Sequence, residues 1–492
     1  MMKNPFPIKG TRQALLTSLP DIDQATSDPP AEVAFTYVPP SHAQALDIDN
    51  PIVEGIRGAG KSFWWAALHS ERHRRFVASA FPEARIGKNI LTSQGFGSSS
   101  KPRSYPGKDA IAKLSGKYAP RHLWRAIIAT QIDVPLPYPQ TGTSWDKKVI
   151  WVKEHPEEYD DLLYQQDDEL AKQKKIRLVL FDALDRLADD WSAIRPLARS
   201  LFQAALDFRG YRNIRLKIFV RPDMLEDRDI LGFPDASKLL ARKITLEWRR
   251  ADLYALLFQC LGNAKSGGDA FRSHCLKEFY LNWSHDEDNN AWVLPKDLRM
   301  EEGIQKEIFH AITGPAMASG PSAHKRGFPY TWLVNHLMDG RNQVSPRSFC
   351  AALRVASQQD TLKAWEYALD YKAIQTGVQE ASRIRVNEMT LEDYPWIETV
   401  MNPLKSKITV PCLERDIISI WKENEIIRLL HRSMKKGVKL PPQHFDEGPK
   451  GILKDLEALG VIQFLGGDRI QMPDVYRIAF SLGRRGGVKP LR

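Results

Sequence analysis

The sequence predicts an α/β core built on a parallel sheet, followed by an α-helical lid segment and a small C-terminal domain of helices and a hairpin. Three observations carry this. Apolar runs at Leu178–Asp182 and Arg215–Val220 flank a stretch of helical spacing, Trp191–Phe208, and strand–helix–strand is the order of a parallel sheet. From Trp248 to about Gly377 nearly every window has helical periodicity. Near the end, a helix over Gly451–Leu459 is closed by Gly460, and Val461–Leu465, a Gly466–Asp468 turn and Arg469–Met472 read as a hairpin. Of the 492 residues 43% are hydrophobic and 26% charged, which excludes a disordered chain, a collagen and a coiled-coil rod.

In chain order, residues 1–50 hold seven prolines and little periodicity, and predict an extended proline-rich arm. A core domain follows over 51–250, a helical lid or linker domain over 251–400, and the C-terminal domain over 401–492. Within the core, a short strand Pro51–Glu54 leads through a glycine loop into a helix from Ser62 to about Phe76. Residues 93–108 read as a Gly/Ser/Pro-rich loop, and helical patterns resume at Ala110–Ile132 and Tyr159–Lys174. No window of about 18 apolar residues occurs and no signal peptide is evident, so a cytoplasmic protein without a membrane segment is expected. The four cysteines (Cys260, Cys275, Cys350, Cys412) form no CxxC pair and are expected to be reduced and mostly buried.

The most specific motif is Gly55-Ile56-Arg57-Gly58-Ala59-Gly60-Lys61-Ser62, which fits G-x-x-x-x-G-K-[ST] at every fixed position. Glycines let successive backbone N–H groups turn inward as a nest for phosphate oxygens, and the following helix adds its positive end. Gly55, Arg57, Gly58, Ala59, Gly60, Lys61 and Ser62 are therefore the expected nucleotide cradle. Lys61 would reach the β- and γ-phosphates of ATP, and the Ser62 hydroxyl would bind Mg²⁺.

Such a loop needs a carboxylate at the end of a neighbouring strand. Four apolar residues bring Asp182 to the carboxyl edge of the sheet, where it would hold the Mg²⁺. Asp185 either orients or deprotonates the attacking water or is a solvated first-turn carboxylate. Arg221, after the strand Leu216–Val220, either senses the γ-phosphate or sits in an ordinary ion pair.

Together, the glycine loop, the apolar strand with Asp182-Ala183-Leu184-Asp185 and the strand ending in Arg221 resemble the STAND branch of the P-loop ATPases, related to the AAA+ and origin-recognition ATPases. The resemblance implies a P-loop NTPase core, ATP and Mg²⁺ as cofactors, and Arg186 where that branch carries a Glu, which weakens the expected hydrolysis. Gly340–Arg347 is similar to the segment carrying the lid arginine of AAA+ ATPases, and by that likeness Arg347 would touch the γ-phosphate. The loop 314–327 carries His324, Lys325 and Arg326, either an arginine finger or polyanion grip or a solvated loop.

Residues 401–492 contain 17 Lys and Arg against 10 Asp and Glu, so most of the chain's net charge of +10 lies there. Helices followed by a small hairpin resemble a winged helix, which these ATPases commonly carry. It either binds DNA or RNA, with Lys454, Arg469, Arg484, Arg485 and Lys489 near phosphates, or packs against protein. The leading expectation is an ATP-binding, slowly hydrolysing switch that forms a homo-oligomer or a complex with an effector protein, similar to antiphage-defence and signalling ATPases. The alternative is an origin-recognition-like ATPase that remodels or loads onto DNA.

Overall fold

The computed structural model describes residues 4–20, 30–84, 86–87, 89–98, 101–137, 142–360, 362 and 365–484. The chain forms two compact units. The first is essentially Val38–Glu247; the second gathers the N-terminal segment, Glu32–Tyr37 and the chain from Trp248 onward.

The first unit is an α/β domain on a five-stranded sheet: β1 (Ile52–Glu54), β2 (Ile90–Phe96), β3 (Ile176–Phe181), β4 (Ile214–Val220) and β5 (Lys243–Thr245). The order across the sheet is β2-β3-β4-β1-β5, and every neighbouring pair is parallel. Leu178 to Phe181 of β3 are fully buried, as a strand covered on both faces requires. Two helices packed on each other, Pro120–Gln131 and Trp191–Asp207, help cover the sheet. They are pinned where Trp124 Nε1 donates to the Leu197 carbonyl at 2.8 Å and the Trp124 ring meets Phe181 edge-on at 5.8 Å.

Several expected elements are subdivided. The helix read from Ser62 to Phe76 is two, Lys61–His69 and Glu71–Ala80, because Ser70 leaves the helix and its hydroxyl caps the second. Likewise Ala110–Ile132 breaks into Lys108–Ser115 and Pro120–Gln131, with Pro120 opening the second helix. The loop read at 93–108 begins as β2, whose Thr92, Ser93 and Gln94 are polar and interrupt the apolar run by which a strand is recognised. The edge strand β5 and the helix Trp145–Glu154 are further elements the periodicity did not reveal.

The proline-rich arm is not extended throughout. Ile8–Ser18 is a helix that buries Thr11, Ala14 and Leu15 in the second unit, and Arg354 of that unit donates to the Leu19 carbonyl at its end (2.8 Å). Pro40–Leu46 is a helix in the first unit. The buried Lys217 of β4 holds its C-terminal end by donating to the carbonyls of Ala45, Asp47 and Asn50 at 2.6–2.9 Å.

The second unit is mainly helical, apart from a hairpin, Ser284–Asp286 with Ala291–Val293, inside the stretch read as helix. In its last part, helices Glu414–Glu423, Ile426–Lys435 and Pro449–Ala458 precede the hairpin Gln463–Leu465 with Arg469–Gln471. Cys412–Leu413 adds a third strand to that hairpin, so a helical triplet with a three-stranded wing is formed. Trp421, Ile426, Leu430, Ile452, Leu456 and Ile470 are its buried core. The chain continues past the wing into Asp474–Arg477 and a short strand, Gly483–Arg484, which were not expected.

The turn at Asp339–Gln343 docks on this triplet. Gly340 N–H donates to the Gly460 carbonyl (2.7 Å), Arg341 Nε to the Ala458 carbonyl (2.9 Å), and Gln463 Nε2 to the Gly340 carbonyl (2.7 Å). A Cβ on residue 340 would lie 2.6 Å from the Gly460 oxygen, so only glycine permits the approach. The four cysteines are free thiols and buried. Among the described residues, no helix is long and apolar enough to cross a membrane.

Candidate nucleotide site

The sheet order decides where the chemistry-bearing residues meet. β1 lies between β4 and β5, and β3 lies on the far side of β4, so the residues after β1, β3 and β4 emerge side by side at one edge. These are the loop 55–60, Asp182 to Asp185, and Arg221.

The loop turns because Gly58 and Gly60 take φ of +76° and +104°, which side chains resist. Gly60 is the cap residue of the helix Lys61–His69, and the Trp64 N–H to Gly60 carbonyl bond (2.9 Å) closes its first turn. The N–H groups of that first turn have no carbonyl behind them inside the helix, which makes them donors for an anion. Lys61 Nζ folds back over the loop and donates to the Gly55 and Ile56 carbonyls at 2.7 and 2.9 Å. Burial lowers its pKa to about 8, with Asp182 opposing the shift and Arg221 adding to it.

Asp182 follows β3 and is 2% exposed. Burial raises its pKa, against a hydrogen bond from the Ser62 hydroxyl and the nearby Lys61 charge. Its Oδ2 is buried and has no hydrogen-bond partner. A partnerless carboxylate oxygen beside a serine hydroxyl is the oxygen donor set that a hard cation takes, completed by waters and phosphate oxygens. Asp182 and Ser62 therefore fit Mg²⁺.

Asp185 stands in the short turn Leu184–Arg186, after Ala183 takes a left-handed φ of 58°. Burial would raise its pKa, but the Arg221 guanidinium, then Lys61, hold it below the usual carboxylate range. The contact is direct: Arg221 Nη1 lies 3.2 Å from Asp185 Oδ2. The other edge of the same guanidinium is clamped by Asp223, with Nε and Nη2 at 3.2 and 3.1 Å from its two oxygens. Asp223 is a site residue that the sequence reading missed. The signal was available as Arg221-Pro222-Asp223, a carboxylate two residues past the arginine.

The structure thus brings together Gly55, Gly58, Ala59, Gly60, Lys61, Ser62, Asp182, Asp185 and Arg221 at one sheet edge; Arg57 is half-buried in the same loop. Arg347 belongs to the second unit, at the start of the helix Pro346–Gln358, where it pairs with Glu388 at 2.9 Å. His324, Lys325 and Arg326 are exposed on a turn of the same unit.

Of the cations expected to face nucleic acid, Lys454 pairs with Glu447 (3.2 Å) and Arg484 with the buried Asp474 (2.9 Å). Arg469 is exposed, and Arg485 and Lys489 lie outside the described residues. A stronger basic feature is the helix Ile426–Lys435. Arg428, Arg432, Lys435 and the next residue Lys436 are exposed at spacings of four, seven and eight, hence on one face, with Arg428 paired to Glu425 at 3.1 Å, while Ile426 and Leu430 are buried opposite. The run IIRLLHRSMKK held this signal in its periodicity.

No protein-family model and no curated protein matches the sequence. Among solved structures, the chain is similar to the Aeropyrum pernix ORC2 protein in its ADPNP–ADP complexes, at 12% identity and a TM-score of 0.30, covering 91% of this chain and 98% of that one. It is similar also to Cdc6p from Pyrobaculum aerophilum, at 12% identity and a TM-score of 0.30, covering 90% and 93%. At these values neither likeness bears on function.

Proposed function

We propose that this chain is an ATP-driven switch. It binds ATP with Mg²⁺ on the loop 55–62, hydrolyses it slowly, and through that cycle assembles with or controls a partner protein, as defence and signalling ATPases of this general plan do. The observation that carries the reading is the partnerless Asp182 Oδ2 beside Ser62 and Lys61 at the mouth of a glycine-turned helix.

The residues divide the work. The loop N–H groups and the helix end bind the phosphates, and Lys61 exchanges its two loop carbonyls for β- and γ-phosphate oxygens. Asp182 and Ser62 hold the metal, which when bound neutralises charge on the phosphates. In hydrolysis a water oxygen bonds to the γ-phosphorus, the bond from phosphorus to the β–γ bridging oxygen breaks, the water's proton passes to Asp185, and ADP and phosphate leave. Arg186 is exposed where a second carboxylate would assist, which suits slow turnover.

Gel filtration of the wild type and Lys61→Ala with ATP or ADP tests the switch. ATP-dependent assembly lost in Lys61→Ala supports it; hydrolysis at the wild-type rate in Lys61→Ala removes it. One observation favours a second reading. The basic face of Ile426–Lys435, on a helical triplet with a wing, suits contact with a nucleic-acid backbone, which would make the chain a DNA-binding ATPase.

A further inference from the structure

Arg221 is held by two carboxylates that are not equivalent. Asp223 engages it through a fork: both carboxylate oxygens accept, from Nε and Nη2, at 3.2 and 3.1 Å. From Arg221, Asp185 accepts one bond, through Nη1 at 3.2 Å, and its carboxylate is otherwise met by its own backbone N–H, which stays with it when Arg221 leaves. Both side chains of the fork are about nine-tenths buried, at 9% exposure each, whereas Asp185 is 19% exposed. A forked pair between planar groups fixes orientation as well as distance, while a single bond leaves the partner free to swing. Asp223 also sits two residues from Arg221 in the first turn of Pro222–Glu226, so the fork is built into one rigid corner.

The charges bear on the same point. Around Lys61 and Arg221 stand three carboxylates, Asp182, Asp185 and Asp223, so the two cations are already engaged before any nucleotide arrives. A γ-phosphate entering beside Lys61 brings more negative charge. It is accommodated by a cation that gives up a weaker acceptor for a stronger one, and the acceptor held by a single bond is the one exchanged.

Resting on the ATP-binding reading above, we infer that Asp223 is a positioning residue. It turns Arg221 so that Nη1 faces the γ-phosphate, and Asp185 is the ligand that the γ-phosphate displaces. ADP, with no γ-phosphate, leaves Arg221 on Asp185. ATP takes Nη1 and releases Asp185 toward water, so one exchange both reports the γ-phosphate and frees the base.

The test is the ratio of ATP to ADP affinity, measured by calorimetry with Mg²⁺ for the full chain. A charge-assisted bond present only with ATP gives the wild type about a ten- to hundredfold preference. In Asp223→Asn the preference falls to within about threefold, with ADP affinity held within about twofold, which also shows that the site is folded. Arg221→Lys, which cannot form the fork, shows the same loss, and the double variant loses no more than Arg221→Lys alone. The inference is overturned if Asp223→Asn keeps the wild-type ratio. It is overturned equally if ADP affinity falls in step with ATP, if the two substitutions add, or if the wild type binds both nucleotides alike. A wild type that binds neither nucleotide overturns the ATPase reading itself, and this inference with it.

Discussion

Trp64 Nε1 donates to His42 Nδ1 at 2.9 Å, joining the helix that follows the glycine loop to the helix that precedes β1. His42 is fully buried, and burial lowers its pKa to about 3, against an opposing hydrogen bond with the Glu247 backbone. A folded pKa below the unfolded value of about 6.5 means the unfolded chain binds the extra proton. The stability this neutral imidazole supports is therefore complete above about pH 6.5 and is lost as pH falls toward 3. In His42→Gln, which keeps an acceptor for Trp64, the denaturation midpoint should depend much less on pH between about 4 and 6.5. An unchanged slope removes His42 as its source.

Asp182→Asn should separate stability from function. Burial raises the pKa of Asp182, so the charged form is held at a cost, and the amide relieves it. The variant is expected to be more stable by about 1 kcal/mol in denaturant melts and to lose the Mg²⁺-dependent part of its ATP affinity. Retained magnesium dependence would remove Asp182 as a ligand.

Arg341 caps the helix Pro449–Ala458 through the Ala458 carbonyl, using both Nε and Nη2. Arg341→Ala should destabilise the second unit by about 1–2 kcal/mol, read as a lower melting midpoint. The Asp339–Gln343 turn remains, since the Gly340–Gly460 backbone bond does not involve the side chain.

The basic face of Ile426–Lys435 gives a salt prediction. If it contacts phosphates, Arg432→Ala with Lys435→Ala should lower duplex affinity at low salt and reduce the slope of log affinity against log salt by about 2. Alanine at Arg469 should change the slope by about 1 at most. A wild type with no salt-sensitive retention would leave this face to a protein partner.

Much of the candidate phosphate site was legible because the chemistry proposed for it fixes both residue types and spacing. The glycine loop, Asp182 and the strands before Asp182 and Arg221 all follow from local patterns. What was not legible depended on contacts across the sheet. β5 is three residues long, and β2 is polar along its middle; neither shows a strand period, and both exist because a neighbour offers its edge. Asp223 is different: it stands two residues past Arg221, a local signal, and only its fork on that guanidinium needed the structure. The charge count pointed to the C-terminal domain but not to a face within it. Pairing of Lys454 and Arg484 with buried or nearby carboxylates is visible only in three dimensions, and it shifts attention to the helix Ile426–Lys435.

The placement of β1 has a consequence for the birth of the protein. Ile52–Glu54 pairs on one side with Ile218–Val220 and on the other with Lys243–Thr245, both encoded far downstream. Strands whose partners arrive late must wait for them, and the wait exposes them. During synthesis the glycine loop leaves the ribosome well before Thr245, but it gains the walls that hold its shape only after Thr245 has emerged. A nascent chain truncated before that point carries the whole phosphate motif yet is expected to retain no nucleotide, so the site can come into use only once the entire first unit has been made.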